Sequence, residues 1–98
     1  MDKIILWVDD LRQPPEGPYY WAKSVNQAIA AIQCVKFDYL DLDHDAGDYA
    51  YDGGDYIRLL DWMEKNKINY PIHIHSMNPV GRMNMLAIAE HNGWRVIR

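Results

Sequence analysis

Apolar residues in this chain fall into short continuous runs that alternate with stretches of helical spacing. Ile4 to Val8 is unbroken and rich in β-branched side chains, as a strand covered on both faces requires. Asp9 and Asp10 end it. Pro14, Pro15 and Pro18 make the next segment a loop, because proline fixes φ and removes a donor. Tyr19 to Lys23 reads as a shorter second strand. Ser24, with Gln27 three residues on, has the form of a capping box, and Val25, Ala28, Ile29 and Ile32 continue at helical spacing to an end near Cys34. Phe37 to Asp43 is a third strand. A polar loop over 45–54 carries Gly47, Gly53 and Gly54. Asp55 then caps a helix with Tyr56, Leu59, Leu60 and Met63 on its apolar face, and Lys65 and Lys67 lie at its negative dipole end. Tyr70 to His75 is a fourth strand. Asn78-Pro79 starts a third helix, since proline at the first helical position loses nothing. Its apolar positions are Val80, Met83, Leu86, Ile88 and Ala89, and Asn92-Gly93 ends it. Trp94 to Ile97 is a fifth strand.

Strands separated by helices imply parallel pairing and right-handed crossovers. The expected architecture is an α/β three-layer sandwich with a mostly parallel five-stranded sheet, its first helix replaced by the proline loop. One domain covers 1–98, because a chain of 98 residues has no room for a second core.

Charge removes several classes of function. The formal net charge is −4, so no global basic field draws in nucleic acid or an anionic membrane, and no extended nucleic-acid surface is expected. No apolar run approaches the ~20 residues that span a bilayer. Met1-Asp2-Lys3 leads straight into a strand, without a signal-peptide pattern. The single Cys34 fits a reducing compartment and reads as a buried thiol, so a cytoplasmic protein is expected.

Polar chemistry collects where strands end. In open parallel sheets, ligands sit outside the carboxyl ends of the strands. Asp9-Asp10 is either a solvated turn or a hard-cation site of the kind magnesium takes, with one or two carboxylates. Asp41, Asp43 and Asp45 share one face of their strand and His44 takes the other. Histidine titrates near neutrality, so His44 can serve as acid or base. His73 and His75 alternate with Ile72 and Ile74. His73 reads as a satisfied core residue and His75, at the strand end, as a functional one. Ser76, Asn78 and the amides that follow can receive a phosphate at a helix N-terminus. Arg82 and Arg12 are candidate phosphate ligands, Arg82 with the alternative of pairing with a nearby aspartate. Tyr49 and Tyr51 are the aromatics placed to stack on a base.

These residues resemble two patterns. The acidic pair Asp9-Asp10, the run Asp38-Tyr39-Leu40-Asp41-Leu42-Asp43 and the hydroxyl of Ser76 resemble a response-regulator receiver domain, a flavodoxin-like fold. The first helix and the lysine of the fifth strand that receivers carry are missing, and His44-Asp45 is an addition. Closer is the resemblance to cyclic-phosphate-processing receiver domains of phage and bacterial genomes. It rests on Asp9-Asp10-Leu11-Arg12 with Pro14-Pro15, Leu42-Asp43-His44-Asp45 with Gly47, Gly53-Gly54-Asp55-Tyr56, and His75-Ser76-Met77-Asn78-Pro79-Val80-Gly81-Arg82 with Met85.

That resemblance implies a phosphoesterase acting on a cyclic phosphate of a nucleotide or RNA end, as in RNA repair. Asp9, Asp10 and Asp43 would hold a magnesium-type ion. His44 and His75 would be acid and base, with Asp45 in support, and Arg12, Ser76, Asn78 and Arg82 would hold the phosphate. Two other classes stand beside it: a module that binds a cyclic nucleotide or phosphate-ended RNA unchanged, and an orthodox receiver phosphorylated on Asp43.

Overall fold

The computed structural model describes residues 3–98; the expectation for Met1-Asp2 lies outside the described residues. Four short strands, β1 (Ile5–Val8), β2 (Tyr19–Ala22), β3 (Tyr39–Leu42) and β4 (Ile72–Ile74), form one sheet in the order β2-β1-β3-β4. All pairs are parallel. Helices α1 (Val25–Cys34), α2 (Ile57–Lys65) and α3 (Pro79–His91) complete it, with a 3-10 turn at Gly47–Tyr49.

The helix starts follow local chemistry. The Ser24 hydroxyl accepts from Gln27 N at 3.0 Å, and the Gln27 side chain accepts from Lys23 N at 2.9 Å. Asn78 caps α3 through Gly81 N, with Pro79 at its first turn. Asp55 is not the cap of α2. Tyr56 holds that position without a side-chain bond, and the Asp55 carboxylate instead accepts from Ala46 N at 3.0 Å. The carboxylate is drawn to an unpaired amide in the loop rather than to its own helix.

The sheet has four strands, not five. Beyond β4 the chain makes a single parallel bridge between Ile72 and Val96, closed by Ile72 N to Arg95 O and Ile97 N to Ile72 O. It is also covered by helices on one face rather than two. The connections β2 to β3, β3 to β4 and β4 to the Val96 bridge all move the same way across the sheet. Right-handed crossovers therefore put α1, α2 and α3 on the same side. Leu6, Val8, Leu40, Leu42, Ile72 and Ile74 face that side, and form one core with Val25, Ala28, Leu59, Leu60, Met63, Met85 and Ala89. The reverse step, β1 to β2, is the proline loop.

Two side-chain expectations change. α3 buries Gly81, Met85 and Ala89 and packs Leu86 and Ile88 against the core, as expected for the last three, while Val80 and Met83 are exposed and Met85 takes the inward place. Cys34 closes α1 at the surface and is exposed.

Candidate functional site

Strand register builds the site. Trp7 pairs with Asp41 and Asp41 with His73, so the three lie side by side on the sheet face away from the helices. Asp9, Asp43 and His75 are the next residues of that parity, one step past the strand ends. Trp7 and Asp41 are buried there although no helix covers them. The proline loop folds back over this face, and Trp7 Nε1 donates to the Arg12 carbonyl at 2.8 Å.

His75 is held from three sides. Its Nδ1 meets Asp41 Oδ1 at 2.7 Å and its Nε2 meets Asp9 Oδ2 at 2.9 Å, while its ring stacks on Trp7. Burial alone would depress its pKa, but the hydrogen bonds and charges of Asp41 and Asp9 prevail and hold it above the ordinary histidine value. A second histidine, His73, meets the same Asp41 oxygen at 2.8 Å. Asp9 Oδ1 accepts from Leu11 N and Arg12 N at 3.0 and 2.9 Å, which closes the turn after β1. Burial pushes the Asp9 carboxyl up, yet these amides and His75 carry it below its ordinary value.

Asp10 is in the opposite position. Burial first, and then the charges of Asp9 and Asp43, raise its pKa. Gly47, at φ +54°, brings the loop so close that a Cβ would strike the Asp10 carboxylate. Asp43 Oδ1 accepts from the amide of His44 at 2.8 Å. Among the described residues, no lysine or arginine pairs with Asp10 or Asp43.

One ligand atom each of Asp9, Asp43 and His75 lie within 4.8 Å of one another. The His75 nitrogens already face carboxylates, and magnesium favours oxygen. The carboxylates of that group, Asp9 and Asp43, are the oxygen donors that would suit a hard divalent cation, and Asp10, whose pKa their charges help to raise, adjoins them.

His44 points away from Asp43, as alternation requires. Its Nδ1 meets Asp45 Oδ1 at 2.7 Å. The ring lies over Gly81 in the first turn of α3, where a Cβ would overlap Cγ, Cδ2 and Nδ1. Glycine at 81 is thus the condition for His44 to sit there. Asp45 is 60% exposed and His44 only 15%.

Arg12, Asp43, Asp45, Ser76, Met77, Asn78 and Pro79 line a cleft of about 430 Å³. A second hollow of about 400 Å³ lies at the other end of the molecule, between Ile32–Lys36 and Ile68–Tyr70, and gathers no acid. Size therefore does not distinguish the two, and chemistry does.

The structure brings Arg12, Asp43, Asp45, Ser76 and Asn78 to one cleft and sets Asp9, Asp10 and His75 behind it. His44 and Arg82 are not among its lining residues. Arg82 reaches back instead, with Nη1 donating to the Ile74 carbonyl. The α3 amides are mostly engaged. Asn78 N donates to Ser76 Oγ, Gly81 N to Asn78 Oδ1 and Arg82 N to the Asn78 carbonyl. Pro79 has no N–H. Trp7 and Asp41 were not singled out as partners of His75. Their shared parity with His73 and His75 was the available signal, and it acquires meaning only with the register.

Residues 4–91 match the family described as cyclic-phosphate processing receiver domain. The receiver domain of the Francisella response regulator 1452 is similar in fold, with a TM-score of 0.69 and 20% identity over 89% of this chain and 78% of that one. No curated protein matches.

Proposed function

The chain belongs to the cyclic-phosphate processing receiver domains, and from that premise we propose that its cleft opens the cyclic phosphate of a nucleotide or RNA end by hydrolysis. One observation carries the reading. A carboxylate with a histidine behind it (Asp45 on His44) stands in the same cleft as the phosphate-binding groups Arg12, Ser76 and Asn78, beside the uncompensated acids Asp43 and Asp10.

Asp9 and Asp43 would hold the divalent cation, magnesium by its preference for oxygen, with Asp10 adjoining. Bound there, it would polarise a phosphoryl oxygen and lower the pKa of water. The chain's own groups do the rest. Arg12, exposed beside the cleft, and the Ser76 hydroxyl hold the phosphate. Asp45 accepts a proton from the attacking water and returns it to the ring oxygen as its bond to phosphorus breaks. The His44 imidazole keeps Asp45 oriented, the arrangement by which a third group orients a catalytic one. His75 does not exchange protons with substrate in this reading. Held between Asp9 and Asp41, it offsets their charge and orders the acid pocket. Arg82 likewise holds α3 to the end of β4.

The test is incubation of the pure protein with 2′,3′-cyclic nucleotides, with and without chelator, followed by phosphorus NMR. Conversion to a monoester that stops on chelation supports the reading, and no turnover with any divalent metal rejects it. The alternative is binding without reaction. Stoichiometric binding with the ligand recovered unchanged would establish that alternative.

A further inference from the structure

The carboxyl edge of the sheet does not end at the acidic pocket. On the far side of β1, away from the cleft, β2 ends in Trp21-Ala22-Lys23. Lys23 Nζ lies 4.7 Å from the centre of the Trp21 ring and 5.8 Å from that of Tyr49. Tyr49 stacks on Tyr51, with centroids 6.3 Å apart and planes 26° apart. Tyr51 is 83% exposed. One hydrogen bond and one close approach tie this group to the acidic pocket. Trp21 Nε1 donates to the Asp9 carbonyl at 2.7 Å, and the 3-10 turn that carries Tyr49 begins at Gly47, against Asp10.

We infer that Tyr51, Tyr49 and Lys23 form the base platform of the site, so that its substrate is a nucleotide and not a small cyclic phosphate lacking a base. The inference rests on the phosphate reading of the cleft and adds what lies beyond the phosphate. Two observations and one general rule support it. The Tyr49–Tyr51 stack leaves a tyrosine at the surface, where burial does not account for it. A base can stack on any aromatic face without sequence-specific bonds. Lys23 places a cation on the edge of a chain of net charge −4, where it draws the negatively charged ligand inward past the aspartates. Neighbouring strands lie about 4.8 Å apart, so Lys23, just past β2, and Asp43, just past β3, stand roughly 10 Å apart across β1, a span of the order of a nucleotide.

A free nucleotide and an RNA end offer the same chemistry. The probes are adenosine 2′,3′-cyclic phosphate, a trinucleotide with the same end, and ethylene glycol cyclic phosphate, which has no base. Binding is measured by titration calorimetry on the intact protein and on Tyr51→Ala, Tyr51→Phe, Lys23→Met and Met77→Ala. The exposed Tyr51 can be truncated without opening the core, and thermal unfolding confirms that each variant is folded.

The expected result is that at least one adenosine probe binds about 10-fold tighter than the base-free probe. Tyr51→Ala removes that advantage and Tyr51→Phe restores it. Lys23→Met weakens the adenosine probes more than the base-free one. Whichever adenosine probe gains more identifies the source. Equal binding of base-free and adenosine probes overturns the inference while leaving the phosphate reading intact. So does a loss of adenosine preference in Met77→Ala but not in Tyr51→Ala, which would place the base on the other flank. If no probe binds, the phosphate reading fails and this inference with it.

Discussion

The imidazole of His75 lies flat on the indole of Trp7, with ring centroids 4.0 Å apart and planes 5° apart. In that position both ring nitrogens reach carboxylates, Asp41 on one side and Asp9 on the other. The side chains of His75, Asp41 and Asp9 are 9%, 8% and 3% exposed, so this is a buried ion cluster. Removing one member leaves the others uncompensated. Asp41→Ala is expected to destabilise the fold by about 3 kcal/mol. His73→Ala, at the exposed end of the network, should cost about 1 kcal/mol or less. Urea unfolding measures both, and equal losses would show that the cluster is not organised around His75.

The same cluster fixes how stability changes with pH. His75 is raised above its ordinary 6.5, so its contribution is complete below that value and is lost as pH rises through the folded-state value. Asp9 is lowered from 3.8, so its contribution is complete above that value and is lost as pH falls through the folded-state value. Stability should be level between the two ordinary values and decline on either side. His75→Phe should flatten the alkaline decline and also lessen the acid one, because His75 is among the groups that lower Asp9. Urea midpoints from pH 3 to 9, taken in chelator, give the comparison, and an unchanged alkaline limb in the variant would assign it elsewhere.

Gly81 and His44 should be coupled. A methyl group at 81 overlaps the His44 ring, so Gly81→Ala should displace the ring from Asp45 even though alanine favours a helix by about 1 kcal/mol. His44→Ala should remove the conflict. The double variant should then be more stable than the sum of the singles predicts, by about 1 kcal/mol or more. Additive losses would mean the contact carries no energy.

Magnesium should raise the unfolding temperature, because it binds the folded chain and not the unfolded one. Asp43→Asn should fold normally and lose that response. Asp10→Asn should weaken it. Calorimetric scans with and without magnesium decide this. A response that survives both substitutions would move the cation away from these acids.

The two arginines should separate. Arg12 is exposed at the cleft, so Arg12→Ala should weaken binding of a cyclic phosphate about 10-fold with little change in stability. Arg82 is bonded to the Ile74 carbonyl, so Arg82→Ala should cost about 1–2 kcal/mol of stability. Titration calorimetry and urea unfolding on each variant test the division.

Element type and order were legible because they rest on local rules. Alternation, the Ser24 box, the Asn78-Pro79 start and the proline loop each act within a few residues of chain. So did the gathering of Asp10, Asp43, Asp45 and Ser76 at one edge, since parallel strands all end on the same side. Family membership was legible too, because its motifs are contiguous. What the tertiary structure alone decided depends on which strand lies beside which. The order β2-β1-β3-β4 sends every helix to one face, and this made the sheet two-layered. Register put Asp41 between Trp7 and His73, so His75 is buried against Asp41 and Asp9. The turn of α3 placed Met85 inside and Met83 outside, and aimed Arg82 at a backbone carbonyl. A sequence states which groups a strand carries to its end. Whether such a group meets substrate or another side chain is set by neighbours distant in the chain, and no local pattern encodes them.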